Sequence, residues 1–414
     1  MKEGVFLGNV LGIIAEYNPF HNGHLYHLNE SKKITNCDTS IALISGNFTQ
    51  RGSTSIIDKW EKTKLALNNG IDLVIELPTL YSISSAENFA DGAIKILNSL
   101  NIIDYLSFGT ETDDITKLNK ISDILIEEPE EYKKYLSIEL KKGLSYPKAR
   151  EIAISKYLND ASYSDILSSP NNILGLEYVK AIKKHKSTIK TVCINRFNCD
   201  YNSNNSNNGF ASSTAIRNFL NKKQFDSIKN VVPECTYLSL LKNFDNKNIV
   251  IDLSCFEKEI IYILRKLTIE EISNLPDVSE GLEYLIKKSA LSFNDLDCIL
   301  NNIKSKRYTQ TRINRIFLYA LLGITKNDIK ISKQIQPYIR VLGFNNKGKD
   351  LISKISKNNP NLPIIISTKK FIDNNRNKDL ELLLNKDILS SNIYTLALNN
   401  SIANIDFTNN IIKL

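Results

Sequence analysis

The sequence predicts an α/β fold: a parallel sheet in the first half of the chain, followed by a mainly helical region. Three observations lead there. Short β-branched runs alternate with helical patterns up to about residue 195, as in sheets with right-handed crossovers. Those runs are largely apolar, which fits strands buried on both faces. From about Val231 onward helical periodicity takes over. The boundary is therefore placed near residues 225–235, dividing the chain into 1–228 and 229–414.

Taken in order, the first strand is expected at 10–15, with a polar turn and a helix over 24–33 behind it. A second strand at 40–45 leads through a Gly- and Asn-containing loop to a helix at 59–69, opened by Asp58, Lys59 and Trp60. Lys59 is expected either to be solvated or to reach phosphate. Strands at 73–76 and 105–108 flank a helix at 86–99; helices at 115–126, 130–142, 147–158 and 172–184 precede a strand at 188–194. The tract 202–208 (Asn-Ser-Asn-Asn-Ser-Asn-Asn) has no apolar residue and reads as a mobile loop. Helices at 213–221, 257–266 and 280–288 follow, with a short mixed segment at 362–367.

Bulk properties narrow the class. A chain of 414 residues with 42% hydrophobic and 24% charged residues is globular in composition. The six cysteines form no Cys-x-x-Cys pair, which argues against a disulfide framework or a zinc ribbon. No run approaches the ~20 apolar residues of a membrane span, and the apolar stretch at 10–15 is too short for a secretion signal. A cytoplasmic protein is expected. Net charge is only +8, yet residues 301–345 hold nine basic residues against the single acid Asp328, a one-sign cluster suited to a polyanion.

Five constellations carry chemistry. The turn after the first strand holds His21, His24 and His27 around Gly23. A helix start at a strand's carboxyl end favours phosphate, and His21 and His24 share its first turn. A zinc site would need a further ligand, and Glu30 is the only one near; no protein-held metal is expected. Ser45, Gly46, Asn47, Gln50 and Arg51 follow the second strand and could orient a small anion or simply form a turn. Gly109 ends a strand, and Asn171 and Asn172 open a helix; they could seat a nucleoside, or serve as turn and cap. Arg196 follows the fifth strand, and Ser212, Ser213, Thr214 and Arg217 cluster at a helix start, more hydroxyls and charge than a cap requires. Lys330-Ile-Ser-Lys-Gln334 resembles a loop of class I aminoacyl-tRNA synthetases but lies far past the α/β region and is read as coincidence.

His21-Asn-Gly-His24 together with Ser212-Ser-Thr-x-x-Arg217 resembles the nucleotidyltransferase superfamily, which implies a Rossmann-like nucleotidyltransferase domain. The longer strings Glu16-Tyr-Asn-Pro-Phe-His-Asn-Gly-His-Leu-Tyr-His27, Ser45-Gly-Asn-Phe-Thr-Gln-Arg-Gly52, Pro170-Asn-Asn-Ile-Leu-Gly175, Ala211–Arg217, Lys304–Arg315 and Tyr338–Phe344 resemble the bacterial tRNA(Met) cytidine acetate ligase family. Relatives often carry Ala at the position of Ser213, and the Asn-rich tract is peculiar to this chain.

The resemblance implies an ATP-dependent ligase. Acetate would attack the α-phosphorus of ATP, giving acetyl-adenylate and pyrophosphate. The wobble cytidine of elongator tRNA(Met) would then take the acetyl group on N4. His21, His24, Arg196, Ser212, Thr214 and Arg217 are implied in catalysis. ATP would be held by Ile14, Ala15, Glu16, Tyr17, Asn18, Pro19, Phe20, His21, Asn22, Gly23, His24, Leu25 and His27, with Gly109, Asn171, Asn172 and Arg196. Mg²⁺ would bridge the phosphates. The loop with Ser45, Gly46, Asn47, Gln50 and Arg51 is assigned to acetate. Lys304, Lys306, Arg307, Tyr308, Arg312 and Arg315 are assigned to tRNA, by phosphate contact and stacking. No membrane and no obligate protein partner are expected. A small-molecule adenylyltransferase of the same superfamily is the alternative.

Overall fold

The computed structural model describes residues 8–112, 114–196 and 209–414. The Asn-rich tract at 202–208 and Cys199 lie outside the described residues. The framework is an eight-stranded sheet. Five strands are parallel: β1 (Asn9–Ala15), β2 (Cys37–Ser45), β3 (Leu73–Leu77), β4 (Tyr105–Thr110) and β5 (Lys190–Asn195). Their order is β5-β4-β1-β2-β3. The chain therefore steps one way from β1 to β3 and then returns to the other side of β1. In open α/β sheets, ligands bind outside the carboxyl ends of the strands at such a reversal.

Both faces of the sheet are covered. Val10, Ile41, Leu43, Leu73 and Ile75 point into one core, under the helices Ala86–Ser99 and Pro170–Lys184. Leu11, Ile13, Ala42, Ile44 and Val74 point into the other, against Asn22–Thr35 (α1), Lys59–Asn68 (α2) and Ser213–Asn221 (α3). This alternation is the period of two that strands impose. The apolar runs seen in the sequence arise because each face has its own helical layer.

The later region is mostly helical but adds three strands to the same sheet. β6 (Ile339–Phe344) pairs antiparallel with β3, and β7 (Ile364–Ile365) and β8 (Ile412–Lys413) pair with β6. β6 was not expected as a strand. Its six-residue run sits among helical patterns, and its partner is far away in sequence, so only tertiary pairing identifies it. The sheet thus continues past the expected boundary, and side chains such as Ile260, Ile316 and Leu383 share a core with it. The segment Lys330–Gln334 lies on the helix Lys326–Gln334. Among the described residues, no helix is long and apolar enough to cross a membrane.

A buried ion cluster ties the two regions together. Lys59 is neither solvated nor at a phosphate site: its Nζ lies 2.9 Å from Glu76 Oε1 and 2.8 Å from Asp406 Oδ1. Arg340 on β6 completes the cluster, 3.1 Å from Glu76 and 2.9 Å from Asp406. All four residues are at most 3% exposed. Each charge is tolerated inside only because opposite charge surrounds it. Asp406→Ala is expected to lower unfolding free energy by about 3–5 kcal/mol by leaving Lys59 and Arg340 undercompensated, measured by urea denaturation. A loss under about 1 kcal/mol would show that the cluster is not what joins the regions.

Candidate active site

At the carboxyl end of β1 the structure encloses a cavity of about 550 Å³. Its walls come from segments remote in sequence. They are the turn between β1 and α1, the residues Thr49–Arg51 and Ser53, Gly109 at the end of β4, and Asn171 at the start of the helix Pro170–Lys184. Arg196 after β5, the residues Ala211–Thr214 with Arg217, and Thr311 complete it. The histidine turn and the hydroxyl-rich helix start therefore face one space. Phe89, Phe108, Ile173, Leu174 and Tyr178 supply apolar wall, and sequence patterning marks these only as core residues.

The turn is held by its own polar groups. Asn18 Nδ2 donates to the Thr54 carbonyl (2.9 Å), and Asn18 Oδ1 accepts from the Ile56 N–H (2.7 Å). Asn22 Nδ2 donates to the carbonyl of Gly209 (2.9 Å), and Asn22 N–H to that of Val231 (3.0 Å). Asn22 is thus a clip between the β1–α1 turn and the approach to α3. It does not line the cavity, and neither do Pro19, Phe20 or Leu25, whereas Ile14, Ala15, Glu16, Tyr17, Asn18, His21, Gly23, His24 and His27 do. Phe20 is fully buried.

His21 is the extended N-cap residue of α1. Its backbone N–H donates to His24 Nδ1 at 3.2 Å, so a neutral His24 carries its proton on Nε2. The two rings stack with centroids 3.7 Å apart. A Cβ on Gly23 would stand 2.9 Å from His21 Cε1; the glycine is there to admit that ring. His27 Nε2 lies 3.0 Å from Ser107 Oγ, which lies 2.6 Å from Ser31 Oγ, which donates to the His27 carbonyl. That chain has a consistent direction if His27 Nε2 donates. Burial, and then the charge of Arg196, pushes His21 down to about 3 and His27 to about 4. Burial and the neighbouring His21 hold His24 well below its ordinary value. At neutral pH the rings are uncharged donors, and positive charge comes from arginine.

Two of those arginines are placed by neighbours. Arg196 N–H donates to the Thr110 carbonyl (3.0 Å) and its Nη1 to Asn171 Oδ1 (3.4 Å). A Cβ on Gly109 would meet Arg196 Cγ at 3.2 Å, so this glycine makes room for the arginine stem. Asn172 does not reach the cavity. It is 3% exposed, and its Oδ1 accepts from the N–H groups of Glu111 (2.9 Å) and Thr112 (3.2 Å). Arg217 Nη1 donates to the Asn18 carbonyl (2.9 Å) and Nη2 to Thr214 Oγ1 (3.1 Å). Ser212 caps α3, its Oγ accepting from the Ala215 N–H at 3.1 Å, which leaves its own O–H to donate.

The loop after β2 divides in two. Ser45, Gly46 and Asn47 lie off the cavity. The first two offer carbonyls to the buried Lys62 (2.7 and 2.6 Å), and Asn47 Oδ1 accepts from the Lys59 N–H (2.9 Å). Lys62 also donates to the Glu16 carbonyl at 3.1 Å, matching its three donors to three acceptors across the ends of β1 and β2. Sequence reasoning missed Lys62, for nothing distinguishes it from a surface lysine. Gln50 and Arg51 do line the cavity, and Gln50 N–H donates to Glu16 Oε1 (2.7 Å).

The basic segment is less uniform than its sequence. Lys304, Lys306 and Arg307 are exposed, and Tyr308 and Arg312 half-buried. Arg307 pairs with Glu280, Arg312 donates to the Asp277 carbonyl (2.8 Å), and Arg315 is 8% exposed and bonded to Asp277 Oδ2 (2.8 Å). Acids from elsewhere in the chain thus offset part of the cluster. The helix Gln310–Leu321 (α4), which carries Arg312 and Arg315 of this segment, nonetheless touches the site. Thr311 lines the cavity, and Gly52, at φ +72, packs so closely on α4 that a Cβ would stand 2.5 Å from the Arg315 nitrogen. Among the described residues, no group of three or more His, Cys, Asp or Glu could hold a metal.

Known proteins share this architecture. The family model described as HIGH Nucleotidyl Transferase matches residues 8–408. A tRNA(Met) cytidine acetate ligase of Thermoanaerobacter sp. (strain X514) is 45% identical over 408 residues, covering 98% of this chain and 100% of its own. One from Acetivibrio thermocellus is 42% identical over 413 residues, covering 97% and 99%. The crystal structure of Thermotoga maritima TmcAL bound with alpha-thio ATP superimposes with TM-score 0.92 at 31% identity, covering 98% of this chain and 100% of that one.

Two expectations follow from the geometry. Gly23→Ala should displace the His21 ring and weaken ATP binding roughly tenfold, about 1.4 kcal/mol, by calorimetric titration; unchanged affinity would mean that His21 does not contact the nucleotide. Acidification should also destabilise the ligand-free protein. His21 and His27 have ordinary values of 6.5 but stay neutral in the fold down to about 3 and 4. The unfolded chain therefore binds more protons below pH 6.5, and stability present above that value is lost as pH falls toward 4. Thermal scans should show a shallower decline for His21→Asn than for wild type; parallel declines would contradict the assignment.

Proposed function

The chain belongs to the tRNA(Met) cytidine acetate ligase family, and from that premise we propose that it activates acetate with ATP and acetylates the wobble cytidine of elongator tRNA(Met) to N4-acetylcytidine. The observation that carries this reading is the single cavity shared by the start of α1, the start of α3, Gly109 and Arg196. Two helix starts facing one space supply N–H groups and dipole to an anion from two sides. In this reading, His21, His24, Ser212 and Thr214 donate to phosphate oxygens, and Arg196 and Arg217 bring the positive charge. Gly109 and Asn171 border the ribose. Mg²⁺ would arrive with the triphosphate and be held chiefly by phosphate oxygens and water; it would offset charge on the departing pyrophosphate. Adenylation then needs little covalent work from the protein, since positioning and charge stabilisation carry such displacements.

Acetate falls to the Gln50–Arg51 side, where Arg51 suits a carboxylate. Residues 229–414 are assigned to tRNA, with Lys304, Lys306, Arg307 and Tyr308 the accessible part of the basic segment. Thr311 and Gly52 support that assignment, because they join the basic helix to the cavity's rim. The reaction is placed in the cytoplasm, where tRNA is found.

The test is acetate-dependent exchange of pyrophosphate into ATP, followed by nucleoside mass spectrometry of tRNA(Met) incubated with ATP and labelled acetate. Arg217→Ala should lower both by about 10²–10³. Exchange that ignores acetate but responds to a phosphorylated cofactor precursor would overturn the ligase reading in favour of a small-molecule adenylyltransferase.

A further inference from the structure

Among the described residues, Glu16 is the only carboxylate lining the cavity, set among three histidines, Arg51, Arg196 and Arg217. A triphosphate and acetate are both anions, so a negative side chain works against each of them. The carboxylate is nonetheless built in. Its Oε1 accepts from the Gln50 N–H at 2.7 Å, and the residue's carbonyl accepts from Lys62 Nζ at 3.1 Å. Among the described residues, no further hydrogen bond reaches the carboxylate. It lies beside the loop whose Gly52 packs on α4, the helix that brings Thr311 to the cavity. Glu16 therefore sits where the nucleotide space meets the basic segment.

Acetyl transfer needs something that adenylation does not. The exocyclic amine of cytidine must lose a proton as its nitrogen attacks, and that proton becomes strongly acidic once the C–N bond begins to form. We infer that Glu16 accepts the N4 proton of cytidine during acetyl transfer, an inference that rests on the ligase reading above. N4 bonds to the acetyl carbon, and the bond from that carbon to the adenylate oxygen breaks. Its electron pair leaves with AMP, and the N4 proton passes to the free carboxylate oxygen of Glu16, which later releases it to water. A carboxylate is also the natural acceptor for cytosine N4–H. Most other polar groups of the cavity are engaged elsewhere or cannot accept a proton. Arginine remains protonated. His24 Nδ1 is occupied by the His21 N–H, and His27 is tied through Nε2 to Ser107. His21 Nδ1 is buried out of solvent's reach.

The two half-reactions separate this role from any other. Glu16→Gln keeps the shape and the Oε1 acceptor for Gln50. Transfer from synthetic acetyl-adenylate to tRNA(Met) transcript should fall about 10²–10⁴-fold. Glu16→Asp should restore part of that loss. Acetate-dependent pyrophosphate exchange should fall at least about thirtyfold less than transfer. Equal losses in both half-reactions would assign Glu16 to the nucleotide or its Mg²⁺ and overturn the inference, as would transfer at the wild-type rate. Wild-type protein that performs neither half-reaction would overturn the ligase reading itself, and this inference with it.

Discussion

The side chain of Asn18 is bonded at both ends, to the Thr54 carbonyl and the Ile56 amide, while its backbone carbonyl receives Arg217. One residue thereby fixes the β1–α1 turn against both the loop after β2 and the start of α3. Asn22 makes a second brace to the segments around Gly209 and Val231. Each buried polar group left unpaired would cost about 1–3 kcal/mol, so these bonds can be satisfied together only in one arrangement of the turn. The histidines that face the cavity inherit their positions from amides that mostly do not.

The same division runs through the rest of the site. Lys62 gathers three carbonyls behind the cavity, Asn172 holds the β4 exit, and Gly23 and Gly109 clear room for His21 and Arg196. The groups left to meet a ligand are neutral imidazoles, hydroxyls, guanidinium charge and the carboxylate of Glu16. Such an environment is arranged beforehand, with little reorganisation needed when negative charge spreads over phosphate oxygens.

Much of this was readable in the chain. Apolar runs revealed β1 to β4 because both sheet faces are covered there, β-branched residues marked β5, and spacing revealed the histidine turn and the Ser212–Arg217 cluster. The limits were physical. An asparagine that binds a nucleotide and one that binds a backbone look identical in sequence, which is why Asn22, Asn172 and Asn47 were grouped with their cavity-lining neighbours. Arg315 and Arg340 looked like part of a free basic cluster, since their acidic partners Asp277, Glu76 and Asp406 are contributed by distant segments. β6 was hidden for the same reason: strand identity there is conferred by β3. The match to tRNA(Met) cytidine acetate ligases spans nearly the whole chain, so family membership rests on far more than the short motifs.

The ion cluster beneath β3 has a temporal consequence. Lys59 and Glu76 leave the ribosome early, whereas Asp406 emerges only after the intervening helices have been made. At ordinary elongation rates that interval lasts tens of seconds. During it β3 has a bare edge, and the nascent sheet carries charges not yet fully offset. The first five strands must therefore wait, incomplete, for the short helix Ile405–Thr408 made long after them, and a chaperone that shields that edge would be guarding the interval rather than the finished protein.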